Sequence, residues 1–344
     1  MSDHSLSRRK FLGTLGTAAS GAVLAAAPFR AAFAATDNVK IAYGSDGYTW
    51  SVPYVADGIE SWKKHGLNAS MATFPSGRES LESALTKDSD FGTTTDSPYL
   101  FAAMRGLKPV VFANYQRYSN DMKIVARMGR GISQSDPASI KGKRIATRIG
   151  TSGHYALHKY IEMAKLKKSD VTIVNMTPGD AINAMVRGDV DGLSWTSRAA
   201  FVVQNALKDE AFIMTQEGYS KFFASHQLLC TNETVVAERP GILKAGVQAL
   251  LDAEAFMAKD KSWMDIVAKR TKTTPEAVAK ETADFEFQLR FDDRFVQDLI
   301  DAAEWAIEEK LAKRPDTDLR KLFVSTFYTK PLAEILPDRV KLTA

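Results

Sequence analysis

The same order of elements, strand-helix-strand-helix-strand-helix, occurs twice in this chain, about a hundred residues apart, and few folds accept such a pattern. In the first run Val39 to Gly44 reads as a strand, Ser51 to His65 has helical spacing, and Leu67 to Phe74 returns to strand. Gly77 to Leu85 follows as helix, Asp90 to Thr95 as strand and Ser97 to Arg105 as helix. The second run has strands at Arg144 to Gly150, Val171 to Thr177 and Val190 to Thr196. Its helices are Gly153 to Ala164, Gly179 to Val186 and Arg198 to Leu207. Pro75-Ser76-Gly77 answers Pro178-Gly179, and Asp88-Ser89-Asp90-Phe91-Gly92 answers Gly188-Asp189-Val190-Asp191-Gly192. Two similar lobes, each built on a parallel-dominated sheet, are the expected α/β architecture. From Pro240 onward the spacing is helical throughout, over Gly241 to Ala258, Trp263 to Lys269, Thr274 to Asp284 and Phe295 to Leu311. These helices are expected to brace lobe one, with Trp263 and Trp305 in core packing.

A parallel sheet binds ligands beyond the carboxyl ends of its strands, so each repeat offers three strand-to-helix loops there. They are Gly44 to Trp50, Pro75 to Arg78 and Thr93 to Asp96 in the first, and Gly150 to His154, Thr177 to Asp180 and Trp195 to Arg198 in the second. Facing lobes would bring all six into one cleft. Gly150-Thr151-Ser152-Gly153-His154 is the most informative, because a strand ends there and a helix begins at Ser152 or Gly153. First-turn N–H groups, a positive dipole end and the hydroxyls of Thr151 and Ser152 suit an oxyanion. Plain N-capping by Ser152 is the alternative. Ser76-Gly77 and Thr94-Thr95 are likewise small, hydroxyl-rich helix starts. Tyr48 and Trp50, Phe74, and Trp195 with Thr196 add aromatic walls and further donors. Asp96 either meets a ligand cation or caps the following helix, and Arg78 and Arg198 are candidate anion partners or gate residues.

Catalytic patterns are sparse. His154, His158 and Glu162 share one helical face, but HEXXH is absent, as are the Gly-x-Ser-x-Gly elbow and the Walker lysine. A metal enzyme using His154 and His158 is therefore the alternative reading, and neither a cofactor nor a metal is expected in the favoured one. The single cysteine, Cys230, permits no intrachain disulfide and reads as a structural thiol.

Residues 7 to 12 read Ser-Arg-Arg-Lys-Phe-Leu, followed by a mild apolar stretch to Ala27, then Pro28 and Ala32-Phe33-Ala34. This resembles a twin-arginine export signal over residues 1–34, with cleavage expected after Ala34 or Ala35. An uncleaved anchor helix is the alternative, and either places the body in the periplasm. The Tat translocase and signal peptidase are the partners this implies. Without those residues, the 45 basic and 41 acidic side chains become 41 and 40. A near-neutral body lacks the clustered cations that nucleic acid binding needs, so no nucleic acid partner is expected.

From about Val39 to Ala258 the chain resembles the periplasmic solute-binding proteins of ATP-driven (ABC) importers for sulfonates, taurine, nitrate and thiamine-pyrimidine precursors. The likeness rests on Lys63-Lys64-His65-Gly66-Leu67, Phe74-Pro75-Ser76-Gly77, Ala84-Leu85 with Asp90-Phe91-Gly92, and Ile140-Lys141-Gly142-Lys143-Arg144 with Gly150-Thr151-Ser152. Ser169-Asp170-Val171 and Gly188-Asp189-Val190-Asp191 complete it. The resemblance implies a two-lobed, type II periplasmic-binding-protein fold that clamps a small organic anion between its lobes, performs no chemistry and docks on a permease with its ATPase. It further implies lobe one as 36–120 plus 228–344, lobe two as 121–227, and crossings near Tyr115 to Val125 and Phe222 to Cys230. In that picture Trp50 and Trp195 cover the organic part of the ligand. Two departures stand out: Trp195-Thr196-Ser197-Arg198 lacks the Pro that often follows this Trp, and the cysteine-rich segment of related pyrimidine-synthesising enzymes is missing.

Overall fold

Two five-stranded sheets with one shared strand order organise the protein. The computed structural model describes residues 36–44 and 47–343; the export motif, its cleavage position and part of the first cleft loop lie outside the described residues. The first half runs β1 (Asp37–Tyr43), α1 (Ser51–Gly58), α2 (Ser61–Lys64), β2 (Leu67–Thr73), α3 (Gly77–Leu85), β3 (Phe91–Thr95), α4 (Asp96–Met104) and β4 (Val110–Tyr118). Then come β5 (Met122–Arg127), β6 (Arg144–Thr147), α5 (Ser152–Met163), β7 (Thr172–Asn175), α6 (Pro178–Arg187), β8 (Gly192–Thr196), α7 (Ser197–Leu207), β9 (Ala211–Ile213) and β10 (Ser225–Thr231). The helical remainder includes α8 (Glu233–Glu238), α9 (Pro240–Lys259), α10 (Trp263–Thr271), α11 (Pro275–Glu281) and α12 (Asp293–Glu308).

The sheet orders are β2-β1-β3-β10-β4 and β7-β6-β8-β5-β9. In each, the first three strands are parallel and the fourth runs against both neighbours. That reversed strand is the one that has just arrived from the other sheet: β5 follows the crossing at residues 119–121, and β10 follows the return between Ile213 and Ser225. Both halves thus keep the doubled pattern seen in the sequence.

One helix reads differently from its spacing. Ser51 to His65 is interrupted by Glu60 in the left-handed conformation (φ 54°), so α1 and α2 are separate. Glycine at position 58 explains the close packing before the break, because a Cβ there would stand 2.5 Å from Ile266 of α10. Short, tight helices let the connection hug the sheet.

The apolar core is not divided sheet by sheet. A smaller cluster (Val125, Met185, Leu193, Val203) holds α6 and α7 on the second sheet. The larger one combines the first sheet, α1, α9 and α12 with Tyr155, Leu157, Tyr160 and Ile161 of α5. Trp263 packs at 5.4 Å on Phe287, as core. Trp305 does more than brace the first sheet: its ring meets Phe101 at 6.3 Å on one side, and Tyr155 at 4.8 Å and His154 at 5.2 Å on α5. Amphipathicity foretells a buried face without naming what covers it. Cys230 is fully buried in β10, and burial pushes its thiol well up. Among the described residues no helix is long and apolar enough to cross a membrane.

Asp298 of α12 ties the helical remainder to the central strands, 2.8 Å from Arg117 Nε of β4 and 2.9 Å from His226 Nε2 of β10. Burial alone would push its carboxyl up, but the bonds and charges of His226 and Arg117 outweigh it and hold the group down to about 2. A depressed carboxylate contributes stability that is complete above its unfolded value near ~4 and is lost as pH falls toward the folded value. Asp298→Asn is expected to cost about 2–3 kcal/mol at neutral pH and to flatten the acid-side decline, read by urea unfolding at a series of pH values.

Candidate functional site

Five helix or turn starts converge between the two sheets because each follows a strand at its carboxyl end. Thr49 and Trp50 precede α1, Ser76 and Gly77 open α3, Thr95 and Pro98 belong to the start of α4, Thr151, Ser152 and Gly153 to α5, and Thr196 to α7. With Met122 and Trp195 they enclose a cavity of about 30 Å3. That is room for a water, far below the few hundred Å3 of an organic-ligand site. The loops touch directly instead: Ser152 Oγ lies 2.6 Å from Thr95 Oγ1, and Arg148 Nη2 reaches Glu79 Oε1 at 3.3 Å. An organic ligand requires these two contacts to part.

The helix starts differ in how they are satisfied. Ser76 Oγ accepts from Arg78 N–H at 3.2 Å and Thr196 Oγ1 from Ala199 N–H at 3.3 Å, so α3 and α7 are capped. At α5 the N-cap is Thr151, not Ser152, and it makes no side-chain cap. Its hydroxyl turns back to donate to Arg148 O at 2.6 Å, while Ser152 spends its own on Thr95. The first turn of a twelve-residue helix therefore points its positive end at the cavity without a capping oxygen.

On each side an indole lies over a glycine. A Cβ on Gly77 would stand 3.2 Å from Trp50, and one on Gly153 would stand 2.5 Å from Trp195 and 2.9 Å from Thr147 Oγ1. The missing side chain is what lets each indole lie directly on the backbone at a helix start.

Nine residues singled out in the sequence thus line the cavity: Trp50, Ser76, Gly77, Thr95, Thr151, Ser152, Gly153, Trp195 and Thr196. Four others turn elsewhere. Tyr48 is buried, with its hydroxyl bonded to Thr273; burial raises it, while that bond and the Arg198 charge oppose the rise. Thr94 donates to Thr95 O at 3.3 Å. Asp96 does not line the cavity: its fully buried carboxylate accepts from Ser97 N–H at 2.7 Å, Ser225 Oγ at 2.8 Å and His226 N–H at 3.1 Å. Burial raises it, and the His226 charge and these bonds counter. From the first position of α4 it ties the start of that helix to β10. His154 faces Trp305 on the far side of α5, with Gly150 N–H donating to its Nδ1 at 3.4 Å. Phe74 and the Thr177–Asp180 loop also lie apart from the cavity, and Thr177 is occupied with Asp180 at 2.6 Å.

Arg78 pairs with Glu82 at 3.1 Å, whereas Arg198 donates from Nε to Thr271 O at 2.7 Å, linking α7 to α10. Sequence reasoning missed Thr49, Pro98 and Met122; a single step along each loop beyond the aromatic and hydroxyl residues would have reached the first two. Nothing in the pattern marks Met122, which enters only because the crossing strand is placed beside β8, with Met122 opposite Thr196.

The histidine-based alternative lacks a convergent ligand set. Burial, then Lys168 and His158, lower His154 to about 4; burial chiefly lowers His158, also to about 4. His158 stands 3.6 Å from Glu309, and Glu162 pairs with Lys159 at 2.9 Å, so the three side chains have separate partners. Among the described residues no group of three or more His, Cys, Asp or Glu is placed to hold a metal ion.

Gly153→Ala is expected to displace the Trp195 indole, costing about 1–3 kcal/mol and shifting tryptophan emission. Gly179→Ala, where a Cβ meets no atom within 4 Å, should change stability by less than about 0.5 kcal/mol. Equal effects in the two variants, measured by thermal melts and fluorescence, would contradict the steric account.

Comparison with known proteins agrees with this architecture. A putative binding protein of Brucella abortus is 26% identical over 253 residues, 71% of this chain and 75% of its own length. The taurine-binding periplasmic protein of Escherichia coli is 26% identical over 245 residues, 70% and 73% of the two chains. The alkanesulfonate-binding protein of Xanthomonas axonopodis pv. citri, solved with MOPS, superposes with a TM-score of 0.71 at 17% identity, over 86% of this chain and 99% of that one. The two-sheet periplasmic-binding-protein fold is thereby shared. The family model described as NMT1/THI5 like matches residues 52–262, and the chain belongs to that family.

Proposed function

We propose that this protein is the periplasmic solute-binding component of an ABC importer and captures a small organic anion in the cavity between its two sheets. The observation that carries the reading is the uncapped start of α5, whose first-turn N–H groups and dipole point into a cavity walled by Trp50 and Trp195. Such a terminus favours an anion by about 0.3–1 kcal/mol when exposed and up to ~2 kcal/mol when partly buried. The indoles supply apolar area for an organic tail. The names of the relatives, a taurine-binding periplasmic protein among them, support a binding role and a periplasmic location. Binding requires no chemistry of the site.

In this reading lobe one carries the first sheet and lobe two the second, and the ligand bridges them in place of the Ser152–Thr95 and Arg148–Glu79 contacts. A bridging ligand stabilises the closed form, and the importer's permease and ATPase act on that population. Arg8 and Arg9 support export by the Tat translocase, with signal peptidase removing residues 1–34 or 1–35. Small sulfonates, carboxylates and nitrate are the ligands to screen by thermal shift. At a hundred times its dissociation constant a true ligand adds about 2.7 kcal/mol, a rise of a few degrees. Ser152→Asp places a carboxylate at the anion position and is expected to weaken that ligand at least tenfold. Unchanged affinity in this variant would overturn the assignment of the anion to α5.

A further inference from the structure

The cavity between the sheets has a larger neighbour. A second space, of about 120 Å3, adjoins it: Pro98 lines both, Arg78 follows Gly77, and Gly150 precedes Thr151. Helices α3 and α4 form one side of this space, and Ile149 and Gly150, in the loop that leads into α5, belong to the other. A Cβ on Gly150 would stand 3.8 Å from Phe101 of α4, so the two sides are in near contact. An organic ligand too large for the cavity of about 30 Å3 at α5 has this space to extend into, and both are walled by the same two halves of the chain.

Its lining combines apolar walls with one uncompensated cation. Leu81 and Leu85 of α3, Phe101 of α4 and Leu311 after α12 supply the apolar surface. Of the two arginines that line it, Arg78 is paired with Glu82 at 3.1 Å, and Glu82 lines the space as well. Arg148, next to Ile149, is taken by Glu79 at 3.3 Å. Arg105, at the C-cap of α4, has no carboxylate partner among the described residues; its guanidinium lies 5.9 Å from the centre of the Phe101 ring. Leu107, two residues on, lines the same space although it is half exposed. A free guanidinium beside apolar surface suits an acidic group carried on a hydrocarbon. In the adjoining cavity the uncapped start of α5 is the other anion position. Two anion positions in adjoining spaces, with apolar wall between them, fit one molecule with an acidic group at each end.

Resting on the anion reading above, we propose that the ligand is a dianion, with one acidic group at the start of α5, a second at Arg105, and an apolar spacer lying along Pro98 and Phe101. Isothermal titration of the full chain with matched acids tests this. Butanedioate, hexanedioate and octanedioate are each compared with the monocarboxylate of the same carbon number, and butane-1,4-disulfonate with butane-1-sulfonate. At least one diacid is expected to bind at least fivefold tighter than its monoacid. Arg105→Gln should weaken that diacid at least fivefold while leaving the monoacid within about twofold. Lys108→Gln, which removes a neighbouring cation that pairs with Glu233 at 3.2 Å and does not line the space, should keep the preference, and so separates a local contact from a change in net charge. Monoacids that bind as well as every diacid, a preference that survives Arg105→Gln, or equal losses in the two variants would overturn the inference and leave the anion reading standing. No binding by any of these acids would overturn both.

Discussion

The exchange of one strand between two sheets is the constraint on which this structure depends. β5 cannot pair beside β8 unless the chain leaves the first sheet within three residues, and β10 cannot fill the gap between β3 and β4 unless it returns. Each reversed strand is flanked on both sides in its sheet, so neither sheet is complete without chain that comes directly from the other. The crossings thereby hold the carboxyl ends of both sets of parallel strands toward a common space, and the helix starts that follow those strands have nowhere else to point. Site geometry here is a consequence of topology.

Electrostatics then divides the labour among similar-looking helix starts. Ser76 and Thr196 close their own helices, whereas Thr151 bonds backward to Arg148 and leaves α5 open. The distinction lies in one hydroxyl's rotamer. Around it, Gly77 and Gly153 make room for the indoles of Trp50 and Trp195 against the backbone, which brings an apolar wall up to both helix starts.

Much of this was legible in the residues. Strand-helix alternation and the Gly, Pro, Ser and Thr at element boundaries placed α3 and the starts of α5 and α7 within a residue or so of where they lie, because local backbone preference and hydrophobic period agree there. Nine of the cavity residues followed from topology plus chemistry. What escaped was tertiary. Asp96 satisfies Ser225 and His226, partners 129 and 130 residues away, and no spacing rule reaches that far. The left-handed Glu60 and the attachment of Trp305 to α5 are likewise decided by what packs against them. β10 is legible only in part: the family resemblance puts a crossing near Phe222 to Cys230, but nothing in Ser225, His226, Gln227 and Thr231 foretells that all seven residues are buried. A strand that carries the return crossing must pass through the middle of the molecule whatever its polarity.

That same strand holds the one thiol in the chain. Moving the two sheets apart about the crossings leaves β10 paired with β3 and β4, and Cys230 stays sealed; only dissolution of the first sheet exposes it. A thiol reagent would therefore not report a parting of the two sheets and would count only the events in which the first sheet itself is lost. The protein carries its own chemical clock for unfolding, insensitive to the motion by which it would work.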